Sequence, residues 1–197
     1  MSTSKWREQL ERVRRYWRRL ESLCDGTSFN RPAAEFVDDM HAFFVECHSF
    51  KDWLKNDPTF TRKNSDIERH VSDTPLLAIC ADFANGKKHL ECTQPFRSGS
   101  EPEAIYYLEI IRKPDDADDQ DNIVSPEARS RKREVNTEQA DRILKQWLEM
   151  GVAKEDIQIK LVVDIKHQGL TLDLDRGVAD FAFDAISAWE EFINEQC

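Results

Sequence analysis

Ala81-Asp82-Phe83-Ala84-Asn85-Gly86-Lys87-Lys88-His89 is where the chain changes character. Before it, apolar residues recur every three or four positions, the period of helices with one buried face. After it, from Leu90, short extended segments rich in β-branched and aromatic residues take over. The stretch itself ends a helix in polar groups. Either Gly86 closes that helix, because glycine readily takes the left-handed conformation of a helix terminus, or one more turn brings His89 onto the face of Asp82 and Asn85. The expected fold is therefore α+β: a four-helix-bundle-like core with a small antiparallel sheet of three or four strands inserted before the last helix.

Upstream, Thr74 and Pro75 read as the start of this helix, with Thr74 as N-cap and Pro75 in the first turn. Asp66 to Val71 makes a helical turn. Earlier still, Phe36, Met40, Phe43, Cys47, Phe50 and Leu54 form a buried stripe on a helix starting near Arg31-Pro32, with Phe44 at its margin. His41, His48 and Asp52 line up beside that stripe at spacings of seven and four. Two imidazoles and a carboxylate can bind a metal, but metal-binding helices place ligands three or four apart and no third strong ligand is evident, so no metal is expected.

The first helix spans Lys5 to Cys24, and Trp6, Leu10, Val13, Trp17, Leu20 and Cys24 share its core-facing stripe. Arginines crowd its other faces, among them Arg14, Arg15, Arg18 and Arg19. With Lys87 they form a candidate nucleic-acid surface, since clustered cations neutralise a phosphate backbone. Intrahelical pairing with Glu8 and Glu11 competes with that reading. Asp25-Gly26 stops the helix.

Downstream, Leu90 to Thr93 and Ile105 to Arg112 read as strands, separated by a turn-rich piece from Arg97 to Pro102. Between 114 and 136 five aspartates precede a basic block, read as a mobile charged loop that docks on a partner. A helix from Thr137 to Met150 puts Ile143, Leu144, Trp147 and Leu148 on its apolar side. Ile157, Ile159, Leu161, Val163 and Ile165 then alternate with more polar residues, and Leu170, Leu172 and Leu174 return as the second arm of a hairpin. The final helix buries Val178, Phe181, Ala182, Ala185, Trp189 and Phe192.

The whole chain, 197 residues with 40% hydrophobic content, is expected to make one domain: helices over 5–90, sheet and inserted helix over 90–175, closing helix over 176–195. A net charge of -10 excludes bulk attraction to nucleic acid or anionic membrane, leaving only local binding. No apolar run approaches the ~20 residues of a membrane span, and no secretory segment leads the chain, so a cytoplasmic location is expected. The five cysteines are odd in number and widely spaced, which suits reduced core thiols. No glycine-rich phosphate loop or serine nucleophile elbow is present, and no cofactor is expected.

At the junction, His89 as proton carrier, Asp82 as its orienting carboxylate, Asn85, and Lys88 as an electrostatic stabiliser form a candidate catalytic group. The same residues also serve as architecture: a capped helix end and a histidine anchored to the next strand.

The run Phe43-Phe44-Val45-Glu46-Cys47-His48-Ser49-Phe50-Lys51-Asp52-Trp53, followed by Asp82-x-Ala84-Asn85-Gly86-x-Lys88-His89, resembles a group of bacterial and phage proteins. More distantly, a polar motif ending in histidine on the third helix of a bundle resembles HEPN domains, many of which are dimeric, metal-independent ribonucleases of toxin and phage-defence systems. Asp82 and His89 match the polar residue and histidine of their motif, while Ala81 stands where its arginine would be and the gap is longer. The resemblance implies one of two functions. The first is a non-catalytic binding or assembly module of a defence or counter-defence system, engaging a protein partner or a second copy. The alternative is a HEPN-like ribonuclease or RNA-binding protein acting through Asp82 to His89.

Overall fold

The computed structural model of the protein describes residues 4–88, 95–101, 103–112, 131–167, 170–171 and 177–195. Four helices come first: α1 (Lys5–Asp25), α2 (Ala33–Asn56), α3 (Asn64–Asp73) and α4 (Pro75–Lys88); α5 (Thr137–Glu149) and α6 (Gly177–Asn194) follow later. Strands β1 (Thr27–Ser28), β2 (Glu103–Arg112), β3 (Arg131–Val135), β4 (Ile157–His167) and β5 (Leu170–Thr171) form one sheet, ordered β1-β4-β2-β3 with β5 on β4. The ladders β1 with β4, β2 with β3, and β4 with β5 are antiparallel. The class is α+β and mostly helical.

The chain divides into two compact units. The first holds Met1–Glu21, Asp39–Ile105 and Asp164–Cys197. Its core is built from one stripe of each helix: Val13 and Leu20 of α1, Met40, Phe43, Cys47 and Phe50 of α2, Ile79, Cys80 and Ala84 of α4, and Phe181 and Trp189 of α6 are all buried. Phe44 lies fully inside as well, stacked on Phe83 at 4.6 Å and meeting Phe181 edge-on at 5.9 Å. Aromatic pairs of this kind add to the ~2–3 kcal/mol that burying each side chain contributes.

Two expectations for this unit need correcting. Trp17 is only half-buried, because the residue that α6 offers it is Phe183, itself 50% exposed, while Gln9 lies inside instead; at the end of α1, which belongs to the second unit, Cys24 is likewise half-buried and Leu23 is inside. The turn expected over Asp66 to Val71 is a full helix of 10 residues that buries Ile67 and Val71. Of the two endings left open for α4, the structure takes the longer: the helix passes through Gly86 to Lys88, a position where a helical glycine costs only about 1 kcal/mol relative to alanine. The break between α3 and α4 falls as expected. Thr74 is extended there, and Pro75 opens α4, since its missing amide cannot continue α3. Among the expected strands, Leu90 to Thr93 lies outside the described residues, as does most of the loop over 114–136.

The second unit holds Ser22–Asp38 and Tyr106–Val163. Along β4, Ile157, Ile159, Leu161 and Val163 are buried while the residues between them are half-exposed, the expected one-sided strand. Gly26, with φ at +102°, turns the chain out of α1 into β1, where Thr27 pairs with Ile159. Two residues are too few to show a sequence period, so β1 was not legible. Asp141 of α5 accepts the Ala33 amide at 2.9 Å and so caps α2 from a distance. The α5 helix starts on a capping box between Asn136 and Gln139. It buries Ala140, Ile143 and Trp147, whereas Leu148, expected inside, is 41% exposed. Arg131–Val135, read as the end of a mobile loop, forms β3 against Leu108–Arg112.

Candidate functional site

Asp82 sits on α4 at 4% exposure, so its charge needs partners. It finds them in one turn. The backbone amides of Arg97 and Ser98 donate to its two oxygens at 2.8 and 2.9 Å, and the Ser98 hydroxyl donates at 2.6 Å. The turn is closed by the Gly99 amide on the Phe96 carbonyl at 3.1 Å, with Gly99 at φ +93°. This is the turn-rich stretch expected after the junction. Asp82 therefore acts as a clasp, holding the returning chain against α4.

Arg97 extends the clasp to α3. Its Nη2 donates to Glu68 at 2.7 Å, and Glu68 also receives Lys55 Nζ and, at 3.4 Å, Lys51 Nζ from α2. Three cations thus share one carboxylate. Burial raises the Glu68 pKa, but the bonds from Lys55 and Arg97 and the charge of Lys51 outweigh it and bring the group down to about 2. Burial pushes Lys51 the other way from its usual value, downward, opposed by Glu68 and reinforced by Arg97. Sequence reading missed this hub. Lys51 and Lys55 share a helix face by their spacing of four, but nothing local says that Glu68 and Arg97 come to meet them.

The remaining candidate residues separate. Asn85 is half-buried on α4, while His89 and the side chains of Lys87 and Lys88 lie outside the described residues. Along α2, His41 is half-buried, His48 is 8% exposed, and Asp52 is exposed and pairs with Lys55 at 3.7 Å. Among the described residues no group of three or more histidine, cysteine or acidic side chains stands together to hold a metal. On α1 the arginines split into two kinds. Arg14 is bound to Glu11 and to Glu190 of α6, and Arg19 pairs with Asp39 at 3.6 Å and lies over the Tyr16 ring at 5.1 Å. Arg15 and Arg18 are exposed and have no ion-pair or hydrogen-bond partner among the described residues. The four do not form one cationic surface, because half of them are neutralised in place.

A second feature, unmarked in the sequence, is a groove of about 610 Å³ between α3 and the end of α6, lined by Arg62, Asp66, Arg69, His70, Phe192 and Glu195 among others. The His70 ring stacks on Phe192 at 4.2 Å, and its Nε2 lies 3.2 Å from the Ala188 carbonyl, which only a protonated Nε2 can satisfy as donor. Arg62 lies over the same Phe192 ring at 4.0 Å and reaches Glu195 at 3.3 Å. The charges here pair with one another, and the histidine joins two helices. Burial lowers the His70 pKa, with Arg62 adding to the effect against the Ala188 bond and Glu195.

No helix among the described residues is long and apolar enough to cross a membrane. No protein-family model, curated protein or solved structure matches the chain.

Proposed function

We propose that this chain is a non-catalytic binding module that engages a protein partner. The observation that carries this reading is the state of Asp82. A carboxylate that accepts three hydrogen bonds from the Arg97-Ser98 turn, at 4% exposure, has three of its about four acceptor positions committed to holding the fold, and neither oxygen is free of the turn. An orienting carboxylate for a catalytic histidine needs a free oxygen facing that histidine. The net charge of -10 and the neutralised Arg14 and Arg19 also favour a protein partner over a polyanion. Membership of a bacterial or phage defence or counter-defence assembly rests on the motif resemblance alone.

The test is RNA cleavage in EDTA by the wild type and by His89→Ala. The expected result is no cleavage by either protein across structured and single-stranded RNAs. Metal-independent cleavage that disappears in the His89→Ala protein would overturn the reading in favour of the HEPN-like ribonuclease.

A further inference from the structure

Phe44 of α2 stacks on Phe83 of α4 at 4.6 Å. Three residues further along α2 stands Cys47, and three residues back along α4 stands Cys80, whose thiol donates a hydrogen bond to the Cys47 sulfur. The two helices are therefore antiparallel here, with the ring stack and the thiol pair about one turn apart. Both cysteines have 0% exposure, and both are free thiols. As core filling, two other small apolar side chains would serve as well. As a pair, they hold the two sulfurs of one disulfide side by side, and closing the bond brings them together by about 2 Å.

We infer that Cys47 and Cys80 form a redox-sensitive modification site, closing to an intramolecular disulfide that locks α2 to α4. The oxidant is a small-molecule disulfide. One cysteine, as its thiolate, attacks a sulfur of that molecule: a mixed disulfide forms and one small thiol leaves. The other cysteine, as its thiolate, then attacks the protein-bound sulfur, and the second small thiol leaves. Two S–H bonds of the protein are thus exchanged for one S–S bond. The two electrons pass to the oxidant, and the two protons end on the released thiols.

Burial decides when this happens. No oxidant reaches a thiol at 0% exposure, and burial together with the Cys47 contact raises the Cys80 pKa, so the closed core holds little thiolate. Attack waits for α2 and α4 to open locally. A mixed disulfide keeps the core apart until the second cysteine expels the small thiol, and the helices then close. The bond seals a loop that holds the end of α2, all of α3 and the start of α4, which constrains the unfolded chain over that span. Oxidation is therefore slow in the folded protein, fast during refolding, and stabilising once complete.

The test refolds the full chain from urea in millimolar glutathione disulfide, blocks the remaining thiols with N-ethylmaleimide under denaturing conditions, and maps the unreduced digest by mass spectrometry. The expected product is a peptide pair linked through Cys47 and Cys80, lighter by two hydrogens than the reduced peptides together. The oxidised protein should melt about 5–15 °C above the reduced one, and dithiothreitol should abolish the gain. Folded protein in the same buffer should acquire the link more slowly, and sub-denaturing urea should speed it. Cys24→Ser should form the link as the wild type does, whereas Cys80→Ala should show no rise in melting temperature on oxidation. Recovery of Cys47 and Cys80 as maleimide adducts, glutathione retained on either, or a link to another cysteine would overturn the inference. An oxidised protein that melts no higher than the reduced one, a gain that persists in Cys80→Ala, or a rate indifferent to urea would overturn it as well.

Discussion

Asp82 accepts both the backbone amide and the hydroxyl of Ser98, at 2.9 and 2.6 Å, across 16 positions of sequence. The Asp82→Ala substitution strands these two donors and the Arg97 amide. Hydrogen bonds to a charged group contribute about 1.5–3 kcal/mol each when lost singly, and are not additive. Urea unfolding should show a loss of about 2–4 kcal/mol for Asp82→Ala, and a smaller one of about 1 kcal/mol for Ser98→Ala. If Asp82→Ala left stability unchanged, the clasp would not be holding the turn.

Glu68 is held at about 2 by its cations, below its ordinary value of 4.5. The folded state therefore binds this proton less readily than the unfolded chain, and the stabilisation is complete above about pH 4.5. It declines as pH falls through about 2. Glu68→Gln should cost about 1–3 kcal/mol at neutral pH, and the difference between variant and wild type should shrink steadily from pH 4.5 downward. A constant difference across that range in urea titrations would contradict the ion-pair hub.

His70 shows the same sign in a different window. Its folded pKa lies below the ordinary 6.5, so the folded state takes up its proton later than the unfolded chain as pH falls. Stability from this site is present above about pH 6.5 and is lost as pH drops toward the folded value. The groups facing it are Arg62 and Glu195 in the groove and Asp73 on its own helix. His70→Asn should flatten the slope of melting temperature between pH 7 and 5. An unchanged slope would show that another group titrates there.

Phe44 touches Phe43, Phe83 and Phe181, with ring centroids between 4.6 and 5.9 Å apart. Truncation to alanine removes all three contacts and leaves a cavity that close-packed neighbours refill only in part. Phe44→Ala should cost about 3–5 kcal/mol in chemical unfolding. Leu148→Ala on the exposed side of α5 should stay within ~0.5 kcal/mol of the wild type.

What the sequence determined by itself was whatever has a short period. The stripe from Phe36 to Leu54, the alternation along Ile157 to Val163 and the stripe from Val178 to Phe192 are all buried as their spacing requires. In each case the side-chain repeat matches the backbone repeat, and burial of apolar area does the rest. The Thr74-Pro75 break and the turn at Asp25-Gly26 were equally legible, because proline and glycine act on their own backbone. Tertiary structure decided everything that depends on distant segments meeting. It gave Asp82 to the Arg97-Ser98 turn, brought Lys51, Lys55 and Arg97 around Glu68, and laid Trp17 beside Phe183. A buried charge must find partners, but its own neighbours in sequence do not say which segments will supply them. The junction from Ala81 to His89 that marked the change from helix to strand is thus held through Asp82 by Arg97 and Ser98, eight and nine positions past its last residue.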